Sequence, residues 1–305
     1  MTDRQNPGGY RQDRGRFEQN PHDPRQNRAI GKIDSHHHLW HFKADEFEWI
    51  HENQTRLRRD YLIDELKSAA GPQNVIGAVS VQARQTVAET DFLLEQAESY
   101  DFIRGIVGWL PLASDDIARN LERYAARPKF RGLRHVIQDE PDSEFMLAAD
   151  FNRGVDKLLA YGLAFDLLVQ ERQLREAIRF VDLHPYQTFV LDHCGKPRIA
   201  DGEIEEWRGA MQELAERINV YCKVSGLATE ARRGDWKPED LIPYIDAVFD
   251  LFGPERVMFG SDWPVCLLGT EYADWVNLCA SVVGSFSQSE QRRFWAETAR
   301  EAYRL

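Results

Sequence analysis

Short apolar segments rich in β-branched residues alternate with longer segments of helical periodicity from residue 30 onward. The apolar segments have the length and composition of buried strands. They predict eight strands, at residues 30–33, 75–81, 103–109, 131–137, 163–169, 188–192, 220–224 and 256–259. The segments between them repeat apolar residues at helical spacing. They predict helices that include residues 86–98, 151–161, 174–183, 204–217, 241–252 and 289–303.

This alternation predicts an α/β protein folded as a closed (β/α)8 barrel, the TIM barrel. An open, doubly wound sheet would normally carry a glycine-rich phosphate turn after its first strand. The first predicted strand instead runs into the sequence AspSerHisHisHis at residues 34–38. We therefore expect a single barrel domain over residues 30–305.

Residues 1–29 do not share this pattern. They are almost entirely polar, with many Gly, Pro, Gln, Asn and Arg residues. Such a segment cannot bury enough apolar surface to offset the entropy lost on ordering. The composition predicts a disordered polar tail before the barrel.

Composition and charge narrow the classes of partner. The chain has 305 residues, 43% of them hydrophobic, and a formal net charge of −12. No cluster of Lys and Arg forms a basic stripe, so nucleic acid is not an expected partner. No apolar run approaches the roughly 20 residues of a membrane span. The N-terminus lacks the charged-then-apolar pattern of a secretory signal, which favours a cytoplasmic protein.

The four cysteines fit the same compartment. Cys194, Cys222, Cys266 and Cys279 form no CxxC pair. Unpaired cysteines of this kind are typical of free thiols in a reducing environment. A cysteine-ligated zinc is therefore not expected.

The first strand ends in a HisXHis motif. His36 and His38 are two residues apart, so their side chains share one face of the strand while His37 points away. Two adjacent imidazoles can hold a metal ion or form a pocket for an anion. A polar surface turn would also contain such a short motif, so the motif alone decides little.

Two other predicted strands end in reactive side chains. The sixth strand runs into AspHisCysGlyLysPro, which brings His193 and Lys196 to its end, and Asp262 follows the eighth strand. The carboxyl ends of all barrel strands lie on one face, where active sites form. We therefore expect His36, His38, His193 and Asp262 to converge there. A carboxylate in that position can bind a metal, accept a proton or cap a loop.

Polar side chains are also found at the ends of two further strands. Arg134, His135 and Gln138 lie at the end of the fourth, and Lys223 and Ser225 lie at the end of the seventh. A guanidinium and an imidazole suit carboxylate, hydroxyl or carbonyl oxygens of a substrate. The same groups could equally belong to a structural hydrogen-bond network.

The segment at residues 39–60 is long and rich in aromatic residues, including Trp40. Apolar residues in a long loop at the active face indicate a lid over the site or packing on the barrel rim. Both interpretations are open from the sequence.

Five sequence segments together resemble one known family. They are residues 34–40, 130–140, 190–197, 223–227 and 252–265, within a similarity that extends from about residue 32 to residue 305. The chain resembles the lactonase-type branch of the amidohydrolase superfamily, amidohydrolase family 2, which includes L-fuconolactonases and L-rhamnonolactonases. The resemblance implies a hydrolase that opens a small sugar-acid lactone by attack of water on its carbonyl.

The resemblance also implies roles for the convergent residues. Asp262 would be the general base. His36, His38 and His193 would be metal ligands together with Asp262, or electrophilic groups around it. Two-metal members carry a bridging lysine or acid at a central strand end, and this chain has no lysine at its fourth or fifth strand end. The resemblance therefore implies at most one divalent metal, with zinc the candidate, and is compatible with a metal-independent enzyme.

Substrate contacts are assigned to a second set of residues. Arg134, His135 and Lys196 are expected to bind substrate oxygens, and Trp40 and Gln138 are further candidates for substrate binding. All five lie at or after the ends of strands, at the face where the proposed catalytic residues lie.

Two other functions fit the same residue pattern. A zinc-dependent decarboxylase can use the same barrel with a HisXHis motif, a later histidine and a final aspartate. A non-catalytic protein that binds a metal or a sugar acid could also use this scaffold, because a fold alone does not determine a reaction. Release of carbon dioxide would identify the former, and ligand-induced thermal stabilisation without turnover the latter.

Overall fold

The computed structural model of the protein describes residues 30–232 and 234–305. Eight parallel strands form one sheet in chain order, each paired with the next. They are β1 (Lys32–His37), β2 (Val75–Val81), β3 (Ile103–Gly108), β4 (Phe130–His135), β5 (Ala164–Leu167), β6 (Phe189–Leu191), β7 (Val220–Val224) and β8 (Val257–Phe259). This arrangement confirms the predicted TIM barrel. The predicted disordered tail at residues 1–29 lies outside the described residues.

Helices surround the sheet. They are α1 (Ile63–Ala70), α2 (Val87–Ser99), α3 (Ile117–Ala125), α4 (Ala149–Val155), α5 (Leu158–Tyr161), α6 (Leu174–Leu183), α7 (Glu205–Ala215), α8 (Leu227–Glu230), α9 (Pro238–Phe252), α10 (Tyr272–Val283), α11 (Gln288–Arg292) and α12 (Thr298–Tyr303). The predicted helix at 151–161 corresponds to α4 and α5, and a π-helical segment at Arg293–Glu297 divides the predicted helix at 289–303. No helix of the described ranges is long and apolar enough to cross a membrane.

The barrel closes between β1 and the segment that follows β8. The backbone N–H of Asp262 donates to the carbonyl of His36 at 2.8 Å, and that of His38 donates to Trp263 at 2.7 Å. Below these bonds, the Ser35 hydroxyl donates to the carbonyl of Phe259 at 2.6 Å. Three of the residues that were predicted to form the site, His36, His38 and Asp262, therefore take part in the seam that closes the sheet.

Inward-facing side chains change from apolar to charged along the strands. Ala164, Val190 and other apolar side chains form a buried cluster inside the barrel. Two residues further along the same strands are Asp166 and Asp192, both fully buried. Because side chains two apart share a face of a strand, the acids extend above the apolar layer toward the carboxyl ends.

The C-terminal segment closes the other end of the barrel. Ala296, Ala299, Ala302 and Tyr303 are buried and pack against the apolar layer inside the barrel. Three of these four residues are alanine, so the segment can approach the strand ends closely. The barrel interior is thus filled from below by a helix and from above by charged side chains.

This packing predicts different outcomes for two adjacent substitutions in α12. Ala299→Leu should lower the free energy of unfolding by about 1–3 kcal/mol, because extra methyl groups overpack a filled interior. Arg300→Leu, on the exposed side of the same helix, should change it by no more than about 0.5 kcal/mol. Urea denaturation of both variants measures the difference, and equal effects would contradict the close packing of α12.

Candidate active site

Three imidazoles and one carboxylate meet at the carboxyl ends of the strands. The Nε2 atoms of His36 and His38 are 3.3 Å apart. The Asp262 Oδ1 atom lies 3.3 Å from Nε2 of His38, 3.7 Å from Nε2 of His36 and 4.0 Å from Nε2 of His193. All four residues are at least 95% buried. The expected convergence of these side chains is present in the structure.

His193 is presented by an unusual left-handed turn. His193, Cys194, Gly195 and Lys196 all have positive φ, between 49° and 69°. Non-glycine residues in this region cost of order 1–3 kcal/mol each, and such residues cluster at functional sites. The turn directs the His193 ring against Gly226, where an added Cβ atom would lie 2.6 Å from Nδ1. Glycine at position 226 is therefore required for this placement.

Asp262 also has left-handed backbone geometry, with φ of 58°. Strand β8 ends at Phe259, so Asp262 extends from the loop after the strand rather than from the strand itself. The buried carboxylate of Asp34 fixes this loop. It accepts hydrogen bonds from the backbone N–H of Ser261 at 2.8 Å and from its hydroxyl at 2.6 Å.

The second ring nitrogen of each histidine has a partner of its own. Nδ1 of His36 lies 3.2 Å from Asp192 Oδ1, and Nδ1 of His38 lies 2.9 Å from the carbonyl of Val81. Nδ1 of His193 lies 2.9 Å from the hydroxyl of Ser225. The Val81 carbonyl can only accept, so His38 carries its proton on Nδ1 and directs the Nε2 lone pair toward the centre of the site. The His36 ring has two cationic neighbours as well, because the Lys223 ammonium lies 3.2 Å from its Nδ1 and Nη1 of Arg134 lies 3.4 Å from its Nε2.

Burial sets the protonation states of the site. It lowers the pKa of His36 well below the ordinary value and lowers the pKa of His193 to about 4. Burial alone would raise the pKa of Asp262, but His193, the hydrogen bond to His38 and His36 reverse this and lower it. Near neutral pH, His36 and His193 are therefore neutral and Asp262 is ionised. Stabilisation of an anion by protonated His36 or His193 is correspondingly disfavoured.

The donor set fits a single divalent ion. An ion bound tetrahedrally at about 2.0–2.1 Å holds its ligand atoms about 3.3 Å apart. The separations among His36 Nε2, His38 Nε2 and Asp262 Oδ1 are 3.3, 3.3 and 3.7 Å. Neutral imidazoles and an ionised carboxylate are also ligands that zinc accepts. His193, at the edge of this group, could serve as a further ligand.

A buried charge network lies directly beneath the imidazoles. The Lys223 ammonium is fully buried and donates to Asp166 and, at 2.9 Å, to Asp192. Asp192 also accepts a hydrogen bond from Arg134 at 2.9 Å. The Tyr303 hydroxyl donates to Asp166, with 2.7 and 2.9 Å to its two oxygens. Each charge is thus compensated by opposite charge or by hydrogen bonds, as burial demands.

A polar cleft of about 690 Å³ opens above the site. Its lining includes His38, His193, Asp262, and residues from loops around the barrel rim. Among the described residues, three lining cations accompany seven carboxylates. The cations are Arg84, Arg134 and Lys196, and the carboxylates are Asp45, Glu46, Glu48, Asp139, Glu140, Glu230 and Asp262. The cleft is therefore acidic.

The proposed substrate-binding residues divide into two groups. Arg134, Lys196 and Gln138 line the cleft. His135 does not, because it follows Arg134 on β4 and points to the opposite face of the strand. Its Nε2 lies 2.7 Å from Glu140, and its ring stacks on an aromatic side chain outside the cleft lining.

Trp40 is likewise a packing residue. It is 1% exposed, and its Nε1 donates to the carbonyl of Arg59 at 2.8 Å. Its ring contacts Phe47, Trp49 and Tyr61. Trp40 thus anchors the loop at residues 39–60 to the rim, and other loop residues, Trp49 among them, reach the cleft.

Sequence reasoning did not assign a role to Asp166 or Asp192. The sequence does contain a pattern that could have identified them, because each is a charged residue two positions after an apolar residue of a barrel strand. That position faces the barrel interior, where an isolated charge requires a buried partner. Lys223, on the inner face of β7, is the charge that completes the set.

Sequence comparison identifies the family. The Amidohydrolase family profile matches residues 33–305. The chain belongs to this family. It is 41% identical over 286 residues to an L-fucono-1,5-lactonase from Burkholderia multivorans (strain ATCC 17616 / 249), covering 90% of this chain and 96% of the relative. An L-fucono-1,5-lactonase from Burkholderia ambifaria is 35% identical over 281 residues, with the same coverage.

Structural comparison gives the same assignment. A crystal structure of an amidohydrolase from Burkholderia multivorans with bound zinc superimposes with a TM-score of 0.87 at 41% identity. The match covers 90% of this chain and 99% of that structure. The amidohydrolase barrel described above is therefore shared along nearly the whole length of the matched protein.

The buried network predicts a strong effect on stability. Asp192→Asn should lower the free energy of unfolding by about 3–5 kcal/mol, because Lys223 and Arg134 would lose a buried anionic partner. Asp182→Asn removes an exposed carboxylate that pairs with Arg217, and should cost no more than about 1 kcal/mol. Urea denaturation compares the two. Equal losses of unfolding free energy would show that burial of the network does not determine its contribution to stability.

Proposed function

We propose that this amidohydrolase opens a sugar-acid lactone of the L-fucono- or L-rhamnonolactone type, with water as the attacking group and Asp262 as general base. The observation that carries this proposal is the buried carboxylate of Asp262, which lies with His38 and His193 in the lining of a polar cleft and within 3.7 Å of His36 beneath it. The names of the two Burkholderia relatives support an L-fuconolactone, and a more distant relative named L-rhamnono-gamma-lactonase, 24% identical over 204 residues, supports the wider class.

The charge of the cleft supports a neutral, hydroxyl-rich substrate. Each lining cation is paired with an acid: Arg84 with Glu46 and Glu89, Arg134 with Asp192, and Lys196 with Glu230. A substrate carboxylate would compete with these acids and meet the excess of negative charge. This disfavours dicarboxylates and the aromatic acids on which a decarboxylase would act. Lactone hydrolysis also creates a carboxylate, whose departure the acidic cleft would favour.

Asp262 is suited to accept a proton from water. Its pKa is lowered, so it is ionised throughout the neutral range but is a weak base, and the attacking water must be made more acidic by a neighbouring cation or a bound metal ion. A lactone carbonyl bound above the floor would receive the attacking oxygen while Asp262 Oδ1 takes the proton. The same carboxyl group can then return the proton to the ring oxygen as the acyl–oxygen bond breaks. Its left-handed backbone and the Asp34 hydrogen bonds hold it in place for both steps.

Arg134 and Lys196 are the proposed oxyanion partners. Nη1 of Arg134 lies 3.4 Å from Nε2 of His36, so the guanidinium reaches the floor of the cleft. Lys196 leaves the turn that carries His193, with about a fifth of its side chain exposed. Each cation has more N–H donors than its pairing with an acid uses, and cationic donors of this kind stabilise the charge that develops on a carbonyl oxygen. Gln138, in the same lining, is proposed to bind a substrate hydroxyl.

A single divalent metal is proposed for the histidine and aspartate cluster. His36, His38 and His193, with Asp262, would hold it, as the spacing and the neutral rings favour. When bound, such an ion polarises a carbonyl and brings bound water to a pKa of about 7. Esters are reactive enough that Asp262 and the two cations could also serve without it.

We also propose that the enzyme works in the cytoplasm. Cys194, Cys222, Cys266 and Cys279 are all buried free thiols. Buried, unpaired cysteines are typical of proteins kept in a reducing compartment.

The base role of Asp262 makes a direct prediction. Asp262→Asn should lower kcat on aldono-1,4- and 1,5-lactones by about 10²–10⁴-fold, because the amide cannot accept the proton. Asp139→Asn, an exposed acid in the same cleft lining, should retain nearly full activity. A pH-indicator assay over a lactone panel measures both rates. A folded, active Asp262→Asn enzyme would exclude this role.

The metal site makes a second prediction. Apoprotein prepared with a chelator should bind one Zn²⁺ per chain in a calorimetric titration, and His38→Gln should weaken this binding by removing one ligand. His184→Gln, a buried histidine away from the cluster, is the matched control. Two ions per chain, or equal binding by both variants, would contradict a single site at this cluster. Lactonase rates before and after chelation determine whether the metal is obligatory.

A further inference from the structure

Tyr303 places a hydroxyl group at the centre of an otherwise apolar layer. The residue belongs to α12 and is 1% exposed, and its ring contributes to the buried cluster that closes the lower end of the barrel. Packing alone would be served equally well by phenylalanine. The hydroxyl therefore needs a separate explanation, since a buried polar group is costly unless it is paired.

The Tyr303 hydroxyl begins a continuous path of hydrogen bonds that ends at the active site. It donates to Asp166, with 2.7 and 2.9 Å to the two oxygens. Lys223 donates to Asp166 and, at 2.9 Å, to Asp192 Oδ1. The same Asp192 oxygen lies 3.2 Å from Nδ1 of His36. The path thus runs from α12 to a ring whose Nε2 faces Asp262.

The path has little freedom to adjust. Asp166, Asp192, Lys223 and His36 have no exposed surface, so no water can replace a lost partner. Lys223 is shared between two carboxylates, and the strength of each contact depends on the other donors to those carboxylates. Removing the Tyr303 hydroxyl would leave Asp166 with Lys223 as its remaining donor among these groups. The ammonium would then shift toward Asp166 and away from Asp192.

Asp192 connects Lys223 to two groups at the active site, so a shift of Lys223 would affect both. Asp192 Oδ1 lies 3.2 Å from Nδ1 of His36, which the Lys223 ammonium also approaches to 3.2 Å, and Asp192 Oδ2 accepts from Arg134 at 2.9 Å. If Lys223 moved away from Asp192, this carboxylate would interact more strongly with the His36 ring nitrogen and with the Arg134 guanidinium. The orientation of Arg134, in the cleft lining, and of His36, buried beneath it, would change, although Tyr303 contacts neither.

We propose that Tyr303 is a positioning residue, which aligns His36 and Arg134 through Asp166, Lys223 and Asp192. The catalytic part of this inference rests on the proposed lactonase function, and the structural part does not. Tyr303 is thereby assigned to the active site although it lies at the opposite end of the barrel.

The chain offers a matched control for the test. Tyr221, on β7, also donates its hydroxyl to a carboxylate of α12, Glu301, at 2.8 Å, but this pair is outside the buried network. Tyr303→Phe and Tyr221→Phe each remove one tyrosine–carboxylate hydrogen bond between the barrel and the same helix. A general weakening of α12 would affect both variants alike.

Two measurements test the proposal on the full-length chain. The first is kcat and KM on the aldonolactone that the panel identifies. Tyr303→Phe should lower kcat by about tenfold, as for other residues that orient the groups contacting substrate, with KM within about twofold. The second is the NMR signal of the His36 ring N–H in histidine-labelled protein, identified by its loss in His36→Gln. Tyr303→Phe should shift the His36 N–H signal. Tyr221→Phe should change neither kcat nor this signal.

A third variant tests the route. Asp166→Asn should shift the His36 signal in the same direction, and the double variant with Tyr303→Phe should lose no more kcat than Asp166→Asn alone. Asp166→Asn also tests the path if Tyr303→Phe does not fold.

The outcomes separate this inference from the proposed function. Wild-type kcat in Tyr303→Phe with an unmoved His36 signal would overturn the positioning role, as would equal effects in Tyr221→Phe or additive losses in the double variant. Absence of lactonase activity in the wild type would overturn the proposed function. The His36 signal would still decide whether Tyr303 controls the ring.

Discussion

The buried ammonium of Lys223 constrains the rest of this barrel. A charge without exposed surface is tolerated only if opposite charges and hydrogen bonds surround it, and Asp166 and Asp192 provide them from neighbouring strands. Those acids in turn require further donors, which are Tyr303 from below and Arg134 and His36 from above. Helix packing at one end and the candidate site at the other are therefore parts of one electrostatic arrangement.

Most of the fold could be predicted from the sequence, because barrel strands and helices differ in length, composition and periodicity. The eight predicted strands are all present, and β2 and β7 have their predicted bounds. The convergence of His36, His38, His193 and Asp262 also followed, because parallel strands of a barrel bring their carboxyl ends to one face. Long-range geometry could thus be inferred without knowing any contact in detail.

Other features could not be predicted, for identifiable physical reasons. Trp40 was expected to bind substrate, but its hydrogen bond to the carbonyl of Arg59 and its aromatic neighbours hold it outside the cleft lining. His135, by contrast, could have been excluded from the cleft, because strand alternation places it on the face opposite to Arg134. The left-handed turn at His193 depends on the close approach of Gly226, in the loop after β7. The pairing of Lys223 with two acids depends on which inward positions face one another across the barrel. A linear pattern of residue types specifies none of these contacts.

The candidate site is divided between the two halves of the barrel, because the closing seam brings the first and last strands together. His36, His38 and Arg134 belong to β1–β4 and their ends, whereas His193, Lys223 and Asp262 belong to β5–β8 and their ends. A half-barrel fragment of either kind would inherit at most two of the three imidazoles, and never Asp262 together with the HisXHis motif. Neither half-barrel alone would therefore be active. Two separately produced halves should recover activity only when they associate to form the complete barrel.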